Sequence, residues 1–417
     1  MRRRYHLHLP GLLYVGLTLF VGVAAANRPN NLLVWVFGAM LAAVLISGIV
    51  SGGMLMGVRG KRFDPRRAVV GEPLIVRYAL TNQSRWWPAF NLHIEERPAR
   101  GRAGGTPWQS AAKPAEGWVL HVGPGDTVHG EVVLFPERRG RFLFDRFRVA
   151  TTFPFGLVRK SVSFDQRTEF LVHPRVLPLR PDLLGSLTRG GLGGFRLSSK
   201  AGPGEDYFGV REYRPGDSIR QIAWKRVALG QGMVSIERSS STPPRVRVVL
   251  NLRTPTAKLR VADGGPSPRD LEERAIEIGA SLVALAAAQG YEVGLTVLGF
   301  ADPQPGEAAG DAVSAARRPS PIRRGHWHVE KLMSMLAAVD LDAPRVEDAR
   351  LPESDRDRAV IVVVHPDRAA PTIAPEAAWH FIATQTESLL VDGGERAGAA
   401  APAANAAPVA ARTGGAA

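Results

Sequence analysis

The chain has 417 residues, 53 of them basic and 39 acidic, a formal charge of +14 and no cysteine. Disulfides, thiolate metal sites and cysteine nucleophiles are therefore excluded, and the length accommodates about two or three domains. The positive excess suits anionic lipid, nucleic acid or an acidic protein, but no nucleic-acid reading motif accompanies it, so nucleic acid is not an expected partner.

From Leu9 to Val58 the only charged side chain is Arg28. The apolar runs 9–26 and 32–58 flank it, each long enough for the roughly 20 helical residues that cross a hydrocarbon core. Helices satisfy their own backbone hydrogen bonds, so two transmembrane helices joined by the polar turn Asn27-Arg28-Pro29-Asn30-Asn31 are predicted. Arg2, Arg3 and Arg4 precede the first run, and Arg59, Lys61, Arg62, Arg66 and Arg67 follow the second, eight basic residues against one. The positive-inside rule then places both flanks in the cytoplasm, making residues 1–63 a two-helix anchor in a bacterial cytoplasmic membrane with the soluble domains facing the cytoplasm. Ala24-Ala25-Ala26 also ends the first run as a signal-peptide cleavage site does, and cleavage there would leave the second run crossing inward with the same result.

Residues 64–175 read as β structure. Leu74, Val76, Tyr78 and Leu80 alternate with Ile75, Arg77 and Ala79, giving one strongly apolar strand face. Segments 119–122 and 127–135 flank Gly123-Pro124-Gly125-Asp126, the punctuation of a hairpin. Short strands with turn signals predict a small β-sandwich of immunoglobulin-like type, with residues 99–116 as an inserted loop. Residues 176–244 are read as a connector. Within it, Gly190-Gly191-Leu192-Gly193-Gly194 is glycine-rich, but Phe195 and Arg196 follow where a phosphate-binding loop needs Lys and Ser or Thr, so a linker is the reading.

From Arg245 to residue 392 strands alternate with helices, the pattern of a doubly wound parallel sheet. Strands are predicted at 246–250, 293–300, 359–364 and 388–391. Helices are predicted at 270–289, where Leu271, Ala275, Ile278, Leu282 and Leu285 recur every three or four residues before Gly290, at 328–339, and at 375–384. Residues 301–319 form a polar, alanine-rich insertion, and 393–417 is an Ala/Gly/Pro tail too poor in apolar side chains to order itself.

One segment is more specific. Arg211, Tyr213, Pro215, Gly216, Asp217, Arg220, Ile222 and Trp224 fill every fixed position of the pattern Arg-x-Tyr-x-Pro-Gly-Asp-x-x-Arg-x-Ile-x-Trp. This resembles the signature of the domain-of-unknown-function family numbered 58. Thr152-Phe153-Pro154-Phe155-Gly156-Leu157 is similar to the family's Asp-Pro-Phe-Gly-Leu turn, with Phe153 in place of Asp, and Val172-His173-Pro174-Arg175 is similar to the strand end that follows it. The resemblance implies two membrane helices, a β-rich domain, the signature and a von Willebrand factor A-like domain. It also implies work with a MoxR-type AAA+ ATPase, in some systems beside a transglutaminase-like membrane protein.

Physically, Pro215-Gly216 is a tight-turn dipeptide and Asp217 can bond nearby amides, a structural turn that Arg211 and Arg220 are near enough to bracket. The segment is then an ion-paired turn fixing the domains together, or a recognition surface in which Arg211, Tyr213, Arg220 and Trp224 meet a partner. Catalysis fits poorly, because one Asp and two Arg lack a neighbouring His, nucleophile or metal cluster.

Von Willebrand A domains commonly hold a divalent cation through Asp-x-Ser-x-Ser after the first strand, where hard oxygen ligands suit magnesium. Here Asn251, Arg253 and Pro255 occupy those positions, and a cationic Arg253 repels the ion, so no metal site is expected. Asp367 is read as a turn residue, and His326 and His328 as a helix start. No cofactor and no catalytic set are expected. The sequence reads as a membrane-tethered scaffold or adaptor, not an enzyme. The rival readings are an unrecognised enzyme around Asn251 and His365, and an anionic-lipid or nucleic-acid binder.

Overall fold

Two uncharged stretches form α1 (Leu9–Asn27) and α2 (Asn31–Met56) in the computed structural model. It describes residues 2–7, 9–27, 30–65, 67–97, 106–190, 200–201, 207–230, 232–240, 244–261, 264–300, 318–346, 359–370, 373 and 378–391. Asn30 starts α2 by accepting the Leu32 amide at 2.9 Å, a side-chain cap on otherwise unpaired backbone donors. The helices pack where Gly22 leaves room for Phe37, whose ring would lie 2.7 Å from any Cβ added there. Both are long and apolar enough to cross a membrane. At the helical rise their 19 and 26 residues correspond to about 28 and 39 Å. Of the buried residues of α2, Ser51, Met54 and Leu55 lie in its surplus length and Ser47 one turn before Ser51.

α2 runs through Gly57 into a β body of two sheets. β2 (Val58–Arg62), β4 (Leu74–Asn82) and β8 (Thr127–Leu134) make one, in that order. The other runs β1 (Arg2–Leu7), β10 (Val158–His173), β9 (Gly140–Thr151), β5 (Ala89–Arg97) and β7 (Glu116–Val122), with short β3 (Ala68–Val69) and β6 (Thr106–Pro107) on β10 and β9. The predicted alternation in β4 is observed: Leu74, Val76, Tyr78 and Leu80 point inward to meet Ile94, Phe147 and Val149 from the facing sheet.

Three expectations need correction here. The Gly123–Asp126 turn does not close a hairpin. β7 pairs with β5 and β8 with β4, so the turn crosses between sheets, held by bonds from the Asn82 amide to Asp126 O and from the Gly125 amide to Asn82 O, 2.9 and 2.8 Å. β7 and β8 meet face to face because Gly117 and Gly130 have no side chains. A Cβ at Gly117 would collide with Glu131 O, and one at Gly130 would lie 2.7 Å from the Ile94 side chain. Second, the stretch read as an inserted loop contributes Trp108 to the core, 1% exposed, its Nε1 donating to Arg97 O; 98–105 lie outside the described residues. Third, the N-terminal Arg2–Leu7 is not merely a basic flank but an edge strand on β10.

The α/β unit is a four-stranded parallel sheet in the order β15 (Glu292–Leu298), β14 (Arg245–Asn251), β16 (Val360–His365) and β17 (Trp379–Ile382). α5 (Pro268–Ala288) begins with a capping box between Ser267 and Asp270 and Pro268 in its first turn. α6 (His326–Ala338) follows Gly325. Both helices pack on the sheet face that carries Val246, Val248 and Leu250. On the opposite face Val249, Leu298, Ile361 and Val363 meet Ile373. Among the described residues, then, both long helices cover one face.

The predicted helix at 375–384 is replaced by β17 and a 3-10 segment, Ala383–Leu389, and no strand spans 388–391; residues 374–377 lie outside the described residues. The aromatic and β-branched run Trp379-His380-Phe381-Ile382 fits a strand docking on β16 better than a helix. The first half of the connector belongs physically to this unit. Leu179 and Leu184, the latter in α3 (Leu183–Gly190), are buried in its core, and the Arg180 and Val391 amides bond Leu389 O and Pro178 O. The glycine-rich stretch after Gly190 lies outside the described residues.

Arg139 clasps the two bodies together. Its buried guanidinium donates to Glu273 at 2.7 Å and to three carbonyls at the end of α6, Leu336, Ala337 and Val339, at 2.9, 3.1 and 2.9 Å. Arg67 pairs with Glu330 at 3.0 Å, and Ser334 Oγ lies 3.3 Å from His173 Nε2, on the same seam.

Candidate functional site

The signature folds on a small antiparallel sheet of β11 (Lys200–Ala201), β13 (Val234–Ser240) and β12 (Tyr207–Glu212). Beyond β12 the Tyr213 amide bonds Met233 O, and Pro215-Gly216 turns the chain with φ of +108° at Gly216, a value glycine adopts without strain. Asp217 closes the turn. Its Oδ1 accepts from Arg211 at 2.6 Å and its Oδ2 from the Arg214 amide at 3.0 Å. The Arg211 bond, then the Arg214 amide, hold the Asp217 carboxyl below its ordinary range, so it stays ionised as a brace.

The expected bracket is therefore half right. Arg211 holds Asp217, and the second donor is the Arg214 backbone, not Arg220. The turn also does not tie the two bodies together through Asp217, whose partners lie within the segment itself.

After the turn, Ile219–Gln221 makes one 3-10 turn and Ile222 is buried, bridging Ser235, while the Ala223 amide bonds Val234 O at 2.9 Å. This alternation of anchored and free residues leaves Arg220 and Trp224 outward. Trp224, the first residue of α4 (Trp224–Ala228), is 54% exposed, and Ile219, Leu229 and Met233 are exposed around it. Arg220, Lys225 and Arg226 are exposed as well. Tyr213 and Arg211 are half-buried. The four residues read from sequence as partner-facing thus divide: Arg220 and Trp224 are presented, Arg211 braces, and Tyr213 is anchored by its backbone.

A second constellation lies at the carboxyl ends of the parallel strands, where open α/β sheets place their ligand crevices. Asn251 at the end of β14 sits beside His365 at the end of β16, Nδ2 to Nδ1 3.0 Å, and His365 Nε2 is 2.9 Å from His380 Nδ1 on β17. Asn251 Oδ1 faces the Arg253 amide, so its Nδ2 is the group that donates to His365. The neutral His365 ring then carries its proton on Nε2 and donates it to His380. Burial, and next the neighbouring His380, push His365 down to about 4, so the ring is uncharged near neutral pH.

Asn251 is committed to His365, and Asp367 accepts the Arg260 and Arg368 amides as a turn residue. Among the described residues no group of three or more His, Cys, Asp or Glu is placed to hold a metal ion. Glu272, buried in the same unit, is bound instead by Thr256 at 2.9 Å and Arg345 at 3.0 Å. His380 escapes the sequence reading because its segment reads as a helix; as a strand, 379–382 sets His380 opposite Val363, on the sheet face that His365 shares. His326 and His328 do open a helix, α6, as expected.

The chain matches no protein-family model, and it matches no curated protein sequence.

Proposed function

We propose that the chain is a membrane-tethered scaffold or adaptor in a bacterial cytoplasmic membrane. α1 and α2 span the bilayer, and the β body, an immunoglobulin-like sandwich, and the α/β unit, a doubly wound von Willebrand factor A-like domain, stand on the cytoplasmic side. Its partner, by the resemblance of the signature, is a MoxR-type AAA+ ATPase acting in protein assembly or envelope-linked maturation, in some systems with a transglutaminase-like membrane protein. The observation that carries this reading is the signature itself. An internally braced turn spends Asp217 and Arg211 on rigidity and leaves Arg220 and Trp224 facing outward amid Ile219, Leu229 and Met233. Arginine and aromatic side chains on a pre-ordered support are the usual anchors of protein interfaces.

The test is copurification of the ATPase with the detergent-solubilised chain. Arg220→Ala and Trp224→Ala should each leave the melting temperature nearly unchanged and cut the bound ATPase severalfold. Asp217→Ala should lower both together, because it unbraces the turn. Undiminished ATPase on folded Arg220→Ala and Trp224→Ala chains would overturn the partner-facing assignment.

A second reading, an enzyme in the α/β unit, is favoured by one observation, the Asn251–His365–His380 chain at the sheet's carboxyl edge. It requires a nucleophile or activated water against His380.

A further inference from the structure

The membrane helices are not joined to the β body only through their ends. α2 enters the body at β2, and β1 leaves it for α1, at the same end of the two sheets. Two loops share that end. Loop 83–88 follows the last residue of β4, Asn82, which pairs with Val58 at the start of β2. Loop 152–157 joins β9 to β10, whose first residue pairs with the last of β1. Both loops touch the helices. A Cβ at Gly11, in the first turn of α1, would collide with the Leu157 carbonyl, so the loop backbone lies directly on that helix. The Lys160 ammonium, three residues further along β10, bonds the Gly48 carbonyl of α2. The Trp87 ring would lie 3.4 Å from a Cβ at Gly53.

These contacts set the depth of each loop. α1, at about 28 Å, matches the roughly 30 Å hydrocarbon core, so its first turn marks the cytoplasmic edge of that core. Loop 152–157 touches Gly11 and therefore lies at that edge. Gly53 is five residues beyond Gly48, about 8 Å lower on the helix axis, in the headgroup layer. At these levels each loop presents an apolar side chain with no cover. Phe155 is 55% exposed at the tip of its loop, and Trp86 is 79% exposed, its ring 5.8 Å from the Arg85 guanidinium. Such residues are costly in water and favourable at a bilayer interface, where aromatic rings sit among headgroups and arginine reaches outward to phosphate.

We propose that this end of the β body is a lipid-contacting surface, with Phe155 inserted at the acyl boundary and Trp86 with Arg85 in the headgroup layer. The occupant is the bilayer that holds α1 and α2, because the surface is continuous with those helices. The body is thereby pinned at a fixed height and tilt instead of hanging from a flexible stalk. The inference rests on the membrane-spanning reading of α1 and α2.

The natural chain has no cysteine, so single cysteines can be introduced without background labelling. Arg85→Cys, Phe155→Cys, Ala42→Cys in the middle of α2, and Lys113→Cys at the opposite end of the body each receive a nitroxide. The full chain is reconstituted in nanodiscs of phosphatidylcholine and phosphatidylglycerol, and accessibility to oxygen is compared with that to a water-soluble nickel chelate. The oxygen-to-nickel ratio should be highest at 42, severalfold above that of 113 at 155, and intermediate at 85. Aqueous values at both 85 and 155 with a lipid value at 42 would overturn the inference while leaving the helices in the membrane. An aqueous value at 42 would overturn the spanning reading, and this inference with it. Arg85→Cys keeps every apolar side chain of the surface, so it reports even where Phe155→Cys disturbs its loop.

Discussion

Arg62→Ala is expected to remove about 3–5 kcal/mol of the β body's stability, the range for breaking a buried ion pair by deleting one partner. Arg62 ends β2, only 1% exposed, and crosses from one sheet to the other. Its Nη1 donates to Glu96 of β5 at 2.7 Å, and its Nη2 to the carbonyls of Phe144 and Gln166. Its guanidinium carbon lies 5.0 Å from the Phe144 ring centre. Tyr78 of β4 donates to the same Glu96 oxygen at 2.6 Å. Gln166, turned inward by the irregularity of β10 between Asp165 and Thr168, locks the Arg62 backbone with two further bonds, 2.8 and 2.7 Å.

Burial pushes the Glu96 carboxyl upward despite Arg62, and burial beside Glu96 pushes the Tyr78 hydroxyl well upward. Without Arg62 the Glu96 carboxylate loses its cation in an apolar core. The triple variant Arg62→Met, Tyr78→Phe, Glu96→Leu removes the three side chains that meet at the Glu96 carboxylate and should recover most of the loss, since no buried charge is then left unpaired. Chemical denaturation of the detergent-solubilised chain measures both. A loss below about 1 kcal/mol for Arg62→Ala, the value of an exposed pair, would show that this network does not join the sheets.

Arg139→Ala is expected to loosen the seam between the β body and the α/β unit. A cation at a helix C-terminus bonds carbonyls that have no partner within the helix and opposes the helix dipole. Arg139 serves three such carbonyls and Glu273 at once. Loss of charged hydrogen bonds of this kind costs about 1.5–3 kcal/mol each before relaxation and water entry reduce it, so a net loss of about 3 kcal/mol is expected. Hydrogen exchange should rise in the last turn of α6 and in the segment that follows, up to Leu341, while the centre of α5 stays protected. Arg139→Lys should restore little, because a single ammonium cannot reach both the carboxylate and the carbonyls as the planar fork does. Unchanged exchange at Leu336–Val339 in Arg139→Ala would contradict the clasp.

The sequence made some of this legible and concealed the rest for physical reasons. Uncharged length announces α1 and α2, alternation announces β4, and the apolar stripe that stops at Gly290 announces α5, because each signal is local. The Gly123–Asp126 turn is equally visible but does not say which strands it joins; that depends on Gly117 and Gly130 letting two sheets close on each other. Arg62 counts as a juxtamembrane charge in sequence, yet it is buried among Tyr78, Glu96 and Phe144, which lie on three other strands. Seven basic residues against one remain on the flanks of the two helices without it. In the signature, Pro215, Gly216 and Asp217 are readable as a turn, whereas the choice of Arg211 over Arg220 as the brace follows from β12 pairing with β13. The Asn251–His365–His380 line was half visible. His380 appears only once its segment is a strand at the sheet edge.

In the proposed orientation the body stands at the cytoplasmic face, where an ATP-driven partner would reach the signature. A reporter pair fused after Val391 tests this most directly, one enzyme active only in the cytoplasm and one only outside it. The predicted result is activity of the cytoplasmic reporter alone. Activity of the external reporter alone would contradict the orientation and remove the proposed ATPase partner with it.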